Sequence, residues 1–390
     1  MPRADLPNWT YVTLGECLRS KPSYGANTSA IPYDESLPRY LRITDIDDNG
    51  DLSEEDKKSI SLKDAEGNML ESGDIVFARS GATVGKTYLH KGNEDMAYAG
   101  YLIRFQVDAT VLLPEYLFLF THSIPYWEWV HKNLRAGAQP NINSQEYCSL
   151  EIPLPSIPEQ QKIVDVVNNW DNAVRVAAKK LEKYELFYKA IGLHVFEDLH
   201  SSDNLFPARE SFNTVSVRNR IDLPLLAVTQ DLGVVRRDEL DRRVMMPEGN
   251  ISNYKVVQPG NFIISLRSFE GGIEYSDITG LVSPAYTVLE SKVELHSDFY
   301  RHYFKSRSFI GRLDQMIYGI RDGKQISFRD FGDMKIPFIQ IKDQVKIASL
   351  FNNVEKIVNL SKKELRNVKE QKRSVMQKIF AGDVRVELNG

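Results

Sequence analysis

Apolar side chains recur at alternating steps of four and three residues along two long stretches of the chain. In the first stretch these positions are Ile163, Val167, Trp170, Val174, Ala177, Leu181, Tyr184, Tyr188, Ile191 and Val195. In the second they are Ile347, Phe351, Val354, Val358, Ser361, Leu365, Val368, Lys372, Val375 and Ile379, with polar interruptions at Ser361 and Lys372. This spacing is that of a heptad seam, so each stretch predicts a long amphipathic helix.

The two stretches are copies of each other, 184 positions apart. Each opens with a similar turn, IPLPSIPEQQKI at 152–163 and IPFIQIKDQVKI at 336–347. A seam of roughly 33 residues, about 50 Å at 1.5 Å per residue, is longer than one small core covers and needs a partner helix. Each helix could instead pack on its own domain, but the matched length and register favour pairing of the two copies in an intramolecular coiled coil.

Length and composition are those of a globular protein with two to three domains. The longest apolar run, VLLPEYLFLF at 111–120, is too short to cross a bilayer and is broken by Pro114 and Glu115. The N-terminus lacks the apolar segment of a signal peptide. Two cysteines, Cys17 and Cys148, make a disulfide framework improbable and favour the cytoplasm.

The net charge of −4 reflects an acidic segment at 34–74, so nucleic-acid binding stays open.

That acidic segment contains DIDDNGDLSEED at 45–56, which matches several positions of a calcium-binding EF-hand loop. An EF-hand requires a helix before the loop, whereas RYLRIT at 39–44 alternates like a strand. We therefore expect an acidic hairpin turn, with Asn49 and Gly50 at positive φ.

A second partial motif is GDIVFARSGATVGKT at 73–87, whose end resembles a phosphate-binding P-loop. Its glycines are one residue too close, and strands follow where a P-loop needs a helix N-terminus. A strand GDIVFA that leads into a loop is better suited to contacting a DNA backbone or base edges. The candidate residues in this loop are Arg79, Ser80, Thr83 and Lys86.

Two further segments precede the first long helix. Tyr126, Trp127 and Trp129 form an aromatic cluster that we assign to the core, with base contact as the alternative. The turn-rich segment after it carries three amide side chains, and such side chains either stabilise their own loop or pair with adenine. They are Gln139, Asn141 and Asn143.

The second half repeats this plan more loosely. GNFIISLRS at 260–268 is similar to GDIVFARS, which adds Arg267 and Ser268 to the candidates for DNA binding. RDGKQISFRDFGDMKIP at 321–337 is similar to the segment 135–153, which adds Arg321, Lys324 and Gln325. Residues 201–259 show no clear similarity to the first half.

Catalytic signatures are absent from the sequence. The seven histidines lack metal-ligand spacing, and no G-x-S-x-G, H-E-x-x-H or G-x-G-x-x-G motif occurs. The sequence therefore offers no catalytic residues, no metal site and no cofactor site of its own, an absence that would fit any scaffold.

Taken with YLRITDIDDNGD, GDIVFARSGATVGK and GAQPNI, the paired helix segments resemble the specificity subunit of type I restriction-modification systems. The resemblance covers nearly the whole chain, although the second half has RSFEGG where the family pattern is R-S-G-x-x-G. It implies an α+β fold with two globular α/β target-recognition domains, separated by two long antiparallel helices in a pseudo-twofold repeat. The implied domains are residues 1–157 and 200–340, and the implied conserved helices are residues 158–199 and 341–390.

The same resemblance implies a non-catalytic subunit that reads a split sequence in double-stranded DNA. Its implied partners are two methyltransferase subunits, which methylate adenine N6 with S-adenosylmethionine, and motor-nuclease subunits that use ATP and magnesium. Long helices would then set the spacing of two half-sites lying about a helical turn apart, ~34 to 36 Å.

Two other functions remain open at the level of the sequence. The chain could be a scaffold for protein partners, with two peptide-binding modules on the coiled coil and no DNA, or, less in keeping with its loops, a P-loop enzyme.

Overall fold

The computed structural model describes residues 9–134, 140–230, 232–240, 251–266, 268–317 and 326–385, apart from the side chains at 269 and 317. The chain divides into two compact units. Unit 1 comprises Met1–Val176 and Leu365–Gly390, and unit 2 comprises Ala177–Glu364. Each unit therefore contains a globular part and one stretch of each long helix.

Both globular parts contain strands and helices. The strands are β1 (Thr10–Thr13), β2 (Ser23–Tyr24), β3 (Ile31–Pro32), β4 (Arg39–Leu41), β5 (Lys58–Ser59), β6 (Ile75–Ala78), β7 (Thr87–Leu89), β8 (Met96–Tyr98), β9 (Leu102–Phe105), β10 (Glu151–Leu154), β11 (Leu205–Pro207), β12 (Phe212–Val215), β13 (Leu226–Thr229), β14 (Gly233–Arg236), β15 (Lys255–Val257), β16 (Phe262–Ile264), β17 (Glu274–Tyr275), β18 (Gly280–Val282), β19 (Thr287–Ser291) and β20 (Lys335–Pro337). The α-helices are α1 (Leu62–Ala65), α2 (Pro114–Phe120), α3 (Ile124–Asn133), α4 (Ser144–Cys148), α5 (Ile157–His200), α6 (Ala208–Ser211), α7 (Ser268–Gly271), α8 (Ser297–Phe304), α9 (Arg307–Ile317), α10 (Phe328–Asp333) and α11 (Ile341–Ala381).

Unit 1 is built on an antiparallel sheet with strand order β2-β9-β6-β7. A second sheet, β3-β5-β4-β8, contains the parallel pair β4 and β8, and β1 pairs with β10. Strands β6 and β9 alternate their apolar side chains between two core clusters, so both faces of the central sheet are covered. The larger cluster contains Phe77, Phe105, Tyr126 and Tyr147, together with Phe380 from α11. Tyr126 is fully buried, which confirms that the aromatic cluster belongs to the core.

Unit 2 repeats this plan. Its main sheet has the order β12-β19-β16-β17, so each strand holds the place that β2, β9, β6 and β7 hold in unit 1. Strand β11 pairs with β20 as β1 pairs with β10. Phe212 on β12 is fully buried against Phe262 and Phe304. Residues 201–259, which show no similarity in sequence, therefore include a strand that corresponds to β2.

Helices α5 and α11 confirm the heptad prediction, because every predicted seam position is buried or half-buried. In unit 1, Lys372 of α11 pairs with Asp171 of α5. In unit 2, Phe351 near the start of α11 stacks on Phe196 near the end of α5, with ring centroids 5.2 Å apart. The two helices are therefore antiparallel and pack on each other in both units, as an intramolecular pair.

The acidic segment forms a turn. Ile46 bridges to Leu52, and the Oδ1 atom of Asp47 accepts hydrogen bonds from the amides of Asn49 and Asp51, both at 2.8 Å. Gly50 has a φ of 76°, but Asn49 does not have a positive φ, so that part of the turn prediction was wrong. The Asp47 side chain closes the turn on backbone amides and removes the need for a second left-handed residue.

Candidate nucleic-acid interface

The loop after β6 and the segment before α4 lie against each other in unit 1. Ser80 and Asn141 form an antiparallel bridge, the Ile142 amide donates to the Arg79 carbonyl oxygen at 2.9 Å, and the Gly81 amide donates to the Pro140 carbonyl oxygen at 3.1 Å. The structure thus brings together two segments that were predicted separately as candidates for DNA binding. We call the surface formed by Tyr24, residues 79–83 and residues 141–144 the loop surface.

Glycine is required at two points of this loop. Gly81 has a φ of 76° and nothing lies within 4 Å of the position where its Cβ would be, so a partner could approach the backbone closely there. Gly85 has a φ of 90°, and a Cβ would meet the Val130 side chain at 2.9 Å. The Tyr126 hydroxyl donates to the Gly85 carbonyl oxygen at 2.7 Å. The buried aromatic cluster therefore fixes the end of the loop.

The P-loop alternative does not fit this geometry. Gly81–Thr83 forms a 3-10 turn, and strand β7 follows Lys86 directly. Lys86 itself turns toward the acidic turn, where its Nζ lies 2.9 Å from Asp48 and donates to the Ile46 carbonyl oxygen at 3.3 Å. Hydrogen bonding to Lys86 lowers the pKa of Asp48. Lys86 is therefore held by an acid, and any DNA phosphate must compete with that acid.

Arg79 has a different environment. Its guanidinium group lies over the ring of Tyr24 at 4.8 Å from the centroid, and its Nε donates to Asn141 Oδ1 at 3.4 Å. The Tyr24 hydroxyl donates to Ser144 Oγ at 3.1 Å and accepts from the Ser144 amide at 3.2 Å. Tyr24 was not among the predicted site residues, because it lies 55 positions before Arg79 and no motif in the sequence connects the two.

Two of the predicted residues serve the loop itself. The Asn143 side chain accepts from the Glu146 amide at 2.9 Å and caps α4, while the Asn143 amide donates to Glu146 Oε2 at 2.8 Å. The Thr83 hydroxyl donates to the Ser80 carbonyl oxygen at 3.5 Å. The amide oxygen of Asn143 is thus used within the chain, as expected for the alternative in which these amides stabilise their loop.

In unit 2 the prediction for Ser268 needs correction. Ser268 is 1% exposed, and its hydroxyl accepts from the Ser265 amide at 2.8 Å at the start of α7. The loop forms a helical turn here, whereas Ser80 is followed by Gly81 in the left-handed region. Ser268 therefore lies in the interior of unit 2. The other candidates, Gln139, Arg267, Arg321, Lys324 and Gln325, lie outside the described residues.

Within the described ranges, no three His, Cys, Asp or Glu side chains are grouped so that they could hold a metal ion. No helix in the same ranges combines the length and the apolar character that crossing a membrane requires.

Comparison with known proteins points to a single family. Residues 9–186 match the model of the type I restriction modification DNA specificity domain. Two curated relatives come from Methanocaldococcus jannaschii. The putative type I restriction enzyme MjaX specificity subunit is 22% identical over 85% of this chain and 83% of its own length. The type I restriction enzyme MjaVIII specificity subunit is 20% identical over 82% of this chain and 81% of its own.

Solved structures show the same fold. A chain from a study of complex assembly and conformational transition of the type I R-M system aligns with a TM-score of 0.62 at 18% identity, over 97% of this chain and 99% of that one. The type I S subunit from M. genitalium aligns with a TM-score of 0.55 at 14% identity, over 98% and 97%. The HsdS subunit from Thermoanaerobacter tengcongensis aligns with a TM-score of 0.51 at 18% identity, over 97% and 98%.

Proposed function

We propose that the chain is a specificity subunit of a type I restriction-modification system, a non-catalytic subunit that binds DNA sequence-specifically. One domain reads each half of a bipartite target. The proposed reading domains are residues 1–157 and 200–340, and the proposed conserved helices are residues 158–199 and 341–390.

The observation that carries the proposal is the duplication of one folded unit within one chain. Beyond the shared strand order, Gln160 and Gln344 lie 184 positions apart, are both buried, and accept hydrogen bonds from the amides of Leu113 and His296, each at 2.8 Å. Two copies of a reading domain are what a target with two separate half-sites requires.

The DNA-binding residues of unit 1 are proposed to lie on the loop surface. Arg79 and Asn141 are the strongest candidates, since they share a hydrogen bond and the Asn141 residue is exposed. Ser80 and Thr83 shape the turn beside them, and Lys86 would supply a phosphate contact once it leaves Asp48. Gln139 and Asn143 stay in the proposal as flanking residues.

For unit 2, the proposed DNA-binding residues are Arg267, Arg321, Lys324 and Gln325. They follow from similarity in sequence to the loop surface of unit 1. Ser268 is left out of the interface, because a buried hydroxyl that accepts from a neighbouring amide cannot reach a DNA groove.

The proposed partners are double-stranded DNA, two methyltransferase subunits and the motor-nuclease subunits of the restriction complex. S-adenosylmethionine, ATP and magnesium would be used by those partners, and the proposed location is the cytoplasm. The duplicated helices support two methyltransferase subunits, because a repeat offers each of two identical partners an equivalent surface. The alternative of a protein scaffold with two peptide-binding modules is disfavoured by the match to a DNA specificity domain.

The proposal is tested by expressing this chain with methyltransferase subunits from the same organism and sequencing the methylated bases in the host genome. A split motif is expected, methylated on both halves. Binding of the assembled complex to that duplex should weaken steeply between 50 and 200 mM salt, as required of an interface that displaces counterions from DNA. A complex that shows neither a split motif nor salt-dependent binding contradicts the proposed function.

A further inference from the structure

We propose that Tyr24 is a positioning residue for Arg79, and that it holds the guanidinium group so that its two terminal nitrogens face a pair of acceptor atoms on DNA. This inference rests on the proposed DNA-binding function and adds to it a residue that neither the sequence motifs nor the comparisons assign.

Part of the Arg79 guanidinium group is already in contact with neighbouring side chains. Its Nε atom donates to Asn141 Oδ1 at 3.4 Å, and one face of the group lies on the Tyr24 ring at 4.8 Å. Toward the other described residues, the Arg79 guanidinium group therefore uses its Nε atom and one of its two faces. The Nη1 and Nη2 edge, which carries donors in the fixed fork geometry of arginine, is the part suited to a bidentate partner.

The charge around Arg79 also suits it to a negatively polarised ligand. Two exposed arginines show the contrasting case, in which a carboxylate satisfies the charge: Arg220 lies 2.8 Å from Asp222, and Arg236 lies 3.0 Å from Asp238. Arg79 forms no ion pair with an acid anywhere in the described part of the chain, although unit 1 is rich in acidic residues. Its charge is stabilised by an aromatic face and an amide oxygen, which leaves the net positive charge for a ligand.

Tyr24 and Asn141, the two residues that contact the guanidinium group, are themselves held in place. Tyr24 lies on β2 opposite Ile103, and its hydroxyl is held from both directions by Ser144 at the start of α4. Asn141 is held by its bridge to Ser80. The arginine side chain thus gives up part of its conformational freedom before DNA binds, which lowers the entropy lost on binding.

The chemistry that fits the fork is a pair of acceptors about as far apart as its two nitrogens. DNA offers such a pair in two places, the two free oxygens of a phosphodiester and the O6 and N7 atoms of guanine in the major groove. Both are bound by the same edge of the guanidinium group, and a chemical substitution of the DNA distinguishes them.

The experiment measures binding of the assembled complex to a duplex carrying its methylation target. Tyr24→Leu removes the aromatic face and keeps apolar volume, and is expected to weaken binding about two- to fivefold, the range of an exposed cation–π contact. Tyr24→Phe keeps the face and should stay within about twofold of the parent. Arg79→Ala should weaken binding more than tenfold, and adding Tyr24→Leu to Arg79→Ala should change nothing further, because Tyr24 acts through the arginine.

Two series of duplexes identify whether a guanine or a phosphate accepts the hydrogen bonds of Arg79. One series carries 7-deazaguanine and the other carries neutral methylphosphonates, with a single substitution at a time along the half-site. One substitution should weaken the parent and leave Arg79→Ala unaffected, and its type identifies guanine or phosphate as the partner. Thermal unfolding of each variant establishes that it is folded.

Three results overturn the inference while the parent still binds its target: Tyr24→Leu binds like the parent, the two substitutions are additive, or no modified duplex discriminates the parent from Arg79→Ala. Failure of the parent complex itself to bind DNA contradicts the proposed function instead. The two failures are therefore distinguishable.

Discussion

Lys180 of α5 donates a hydrogen bond from Nζ to Glu364 Oε2 of α11 at 2.7 Å, and the two residues occupy equivalent positions of the repeat, 184 apart. The buried seam residues Ala177 and Ser361 are also 184 apart and lie within one turn of this ion pair. Their small size suits a close approach of the helices.

Inserting seven residues after Ala177 and seven after Ser361 should leave the protein folded, because a whole heptad returns every seam residue to the same side of its helix. Each helix would lengthen by about 10.5 Å at 1.5 Å per residue. The preferred spacer between half-sites should then grow by roughly 3 base pairs at 3.4 Å each. The measurement is methylation of a target library that varies only in spacer length.

Insertion in one helix alone serves as the control and should abolish activity, because the seams fall out of register. If the doubly extended protein is active and still prefers the parental spacer, the helices do not set the spacing.

Gln160→Leu and Gln344→Leu should each lower the free energy of unfolding of their own unit by about 2 to 4 kcal/mol, since buried backbone groups lose their partners. Gln160 Nε2 donates to the carbonyl oxygens of Val111 and Pro155, and Gln344 Nε2 donates to that of Ile339. Hydrogen exchange read by mass spectrometry should localise the loss to unit 1 for the first variant and to unit 2 for the second. The exposed neighbour Gln161→Leu should change the stability by less than about 0.5 kcal/mol.

Arg79→Ala and Lys86→Ala should both weaken DNA binding by the assembled complex, and each should flatten the salt dependence by about one unit of slope. The effect of Lys86→Ala should be the smaller, because Lys86 must first leave Asp48. Fluorescence anisotropy at several salt concentrations measures both quantities. Arg220→Ala is the matched control, since its guanidinium group already pairs with Asp222. If both loop variants keep the affinity and the salt dependence of the parent, this loop is not part of the DNA interface.

Exchange of residues 200–335 for the corresponding domain of a relative should alter one half of the methylated motif and leave the other half unchanged. The expectation follows from matched helices that carry globular parts of divergent sequence. Sequencing of methylated bases in cells that express the chimaera provides the measurement. A chimaera that changes both half-sites would contradict independent reading.

Unit 2 should lose stability as the pH falls below about 6.5, the ordinary value for histidine. His302 is 3% exposed and lies between the Tyr188 hydroxyl at 2.8 Å and Asn352 Oδ1 at 2.7 Å. Burial lowers the pKa of His302, and the neighbouring Arg301 opposes its protonation, while Asn352, Glu355 and Asp298 partly offset both.

The lowered pKa of His302 sets the direction in which the stability of unit 2 changes with pH. The unfolded chain takes up a proton at a higher pH than the folded chain does, so stability is full above about 6.5 and declines as the pH drops toward the folded pKa. His302→Gln, which can still accept from Tyr188 and donate to Asn352, should flatten the decline. The test is urea unfolding of the parent and the variant between pH 5 and 7.5, monitored by hydrogen exchange in unit 2. An unchanged slope in the variant would assign the pH dependence to other groups.

Local patterns of the sequence determined a large part of this structure. The two seams, from Ile163 to Val195 and from Ile347 to Ile379, are defined by spacing along single helices, and the helices bury those residues. The strand before Arg79 and the absence of a helix after Lys86 follow from equally local preferences. Such features depend on neighbours within one or two turns of the chain, which is why the sequence predicts them.

The tertiary structure decided what the candidate residues contact. Tyr24 meets Arg79 because β2 and β6 both pair with β9, an arrangement that no periodicity encodes. Ser268 is buried because the loop of unit 2 closes into α7, although the residues that precede it are similar to those that precede Ser80. Side-chain contacts of this kind depend on strand register and on packing between distant segments, whose energies are set by the whole folded unit.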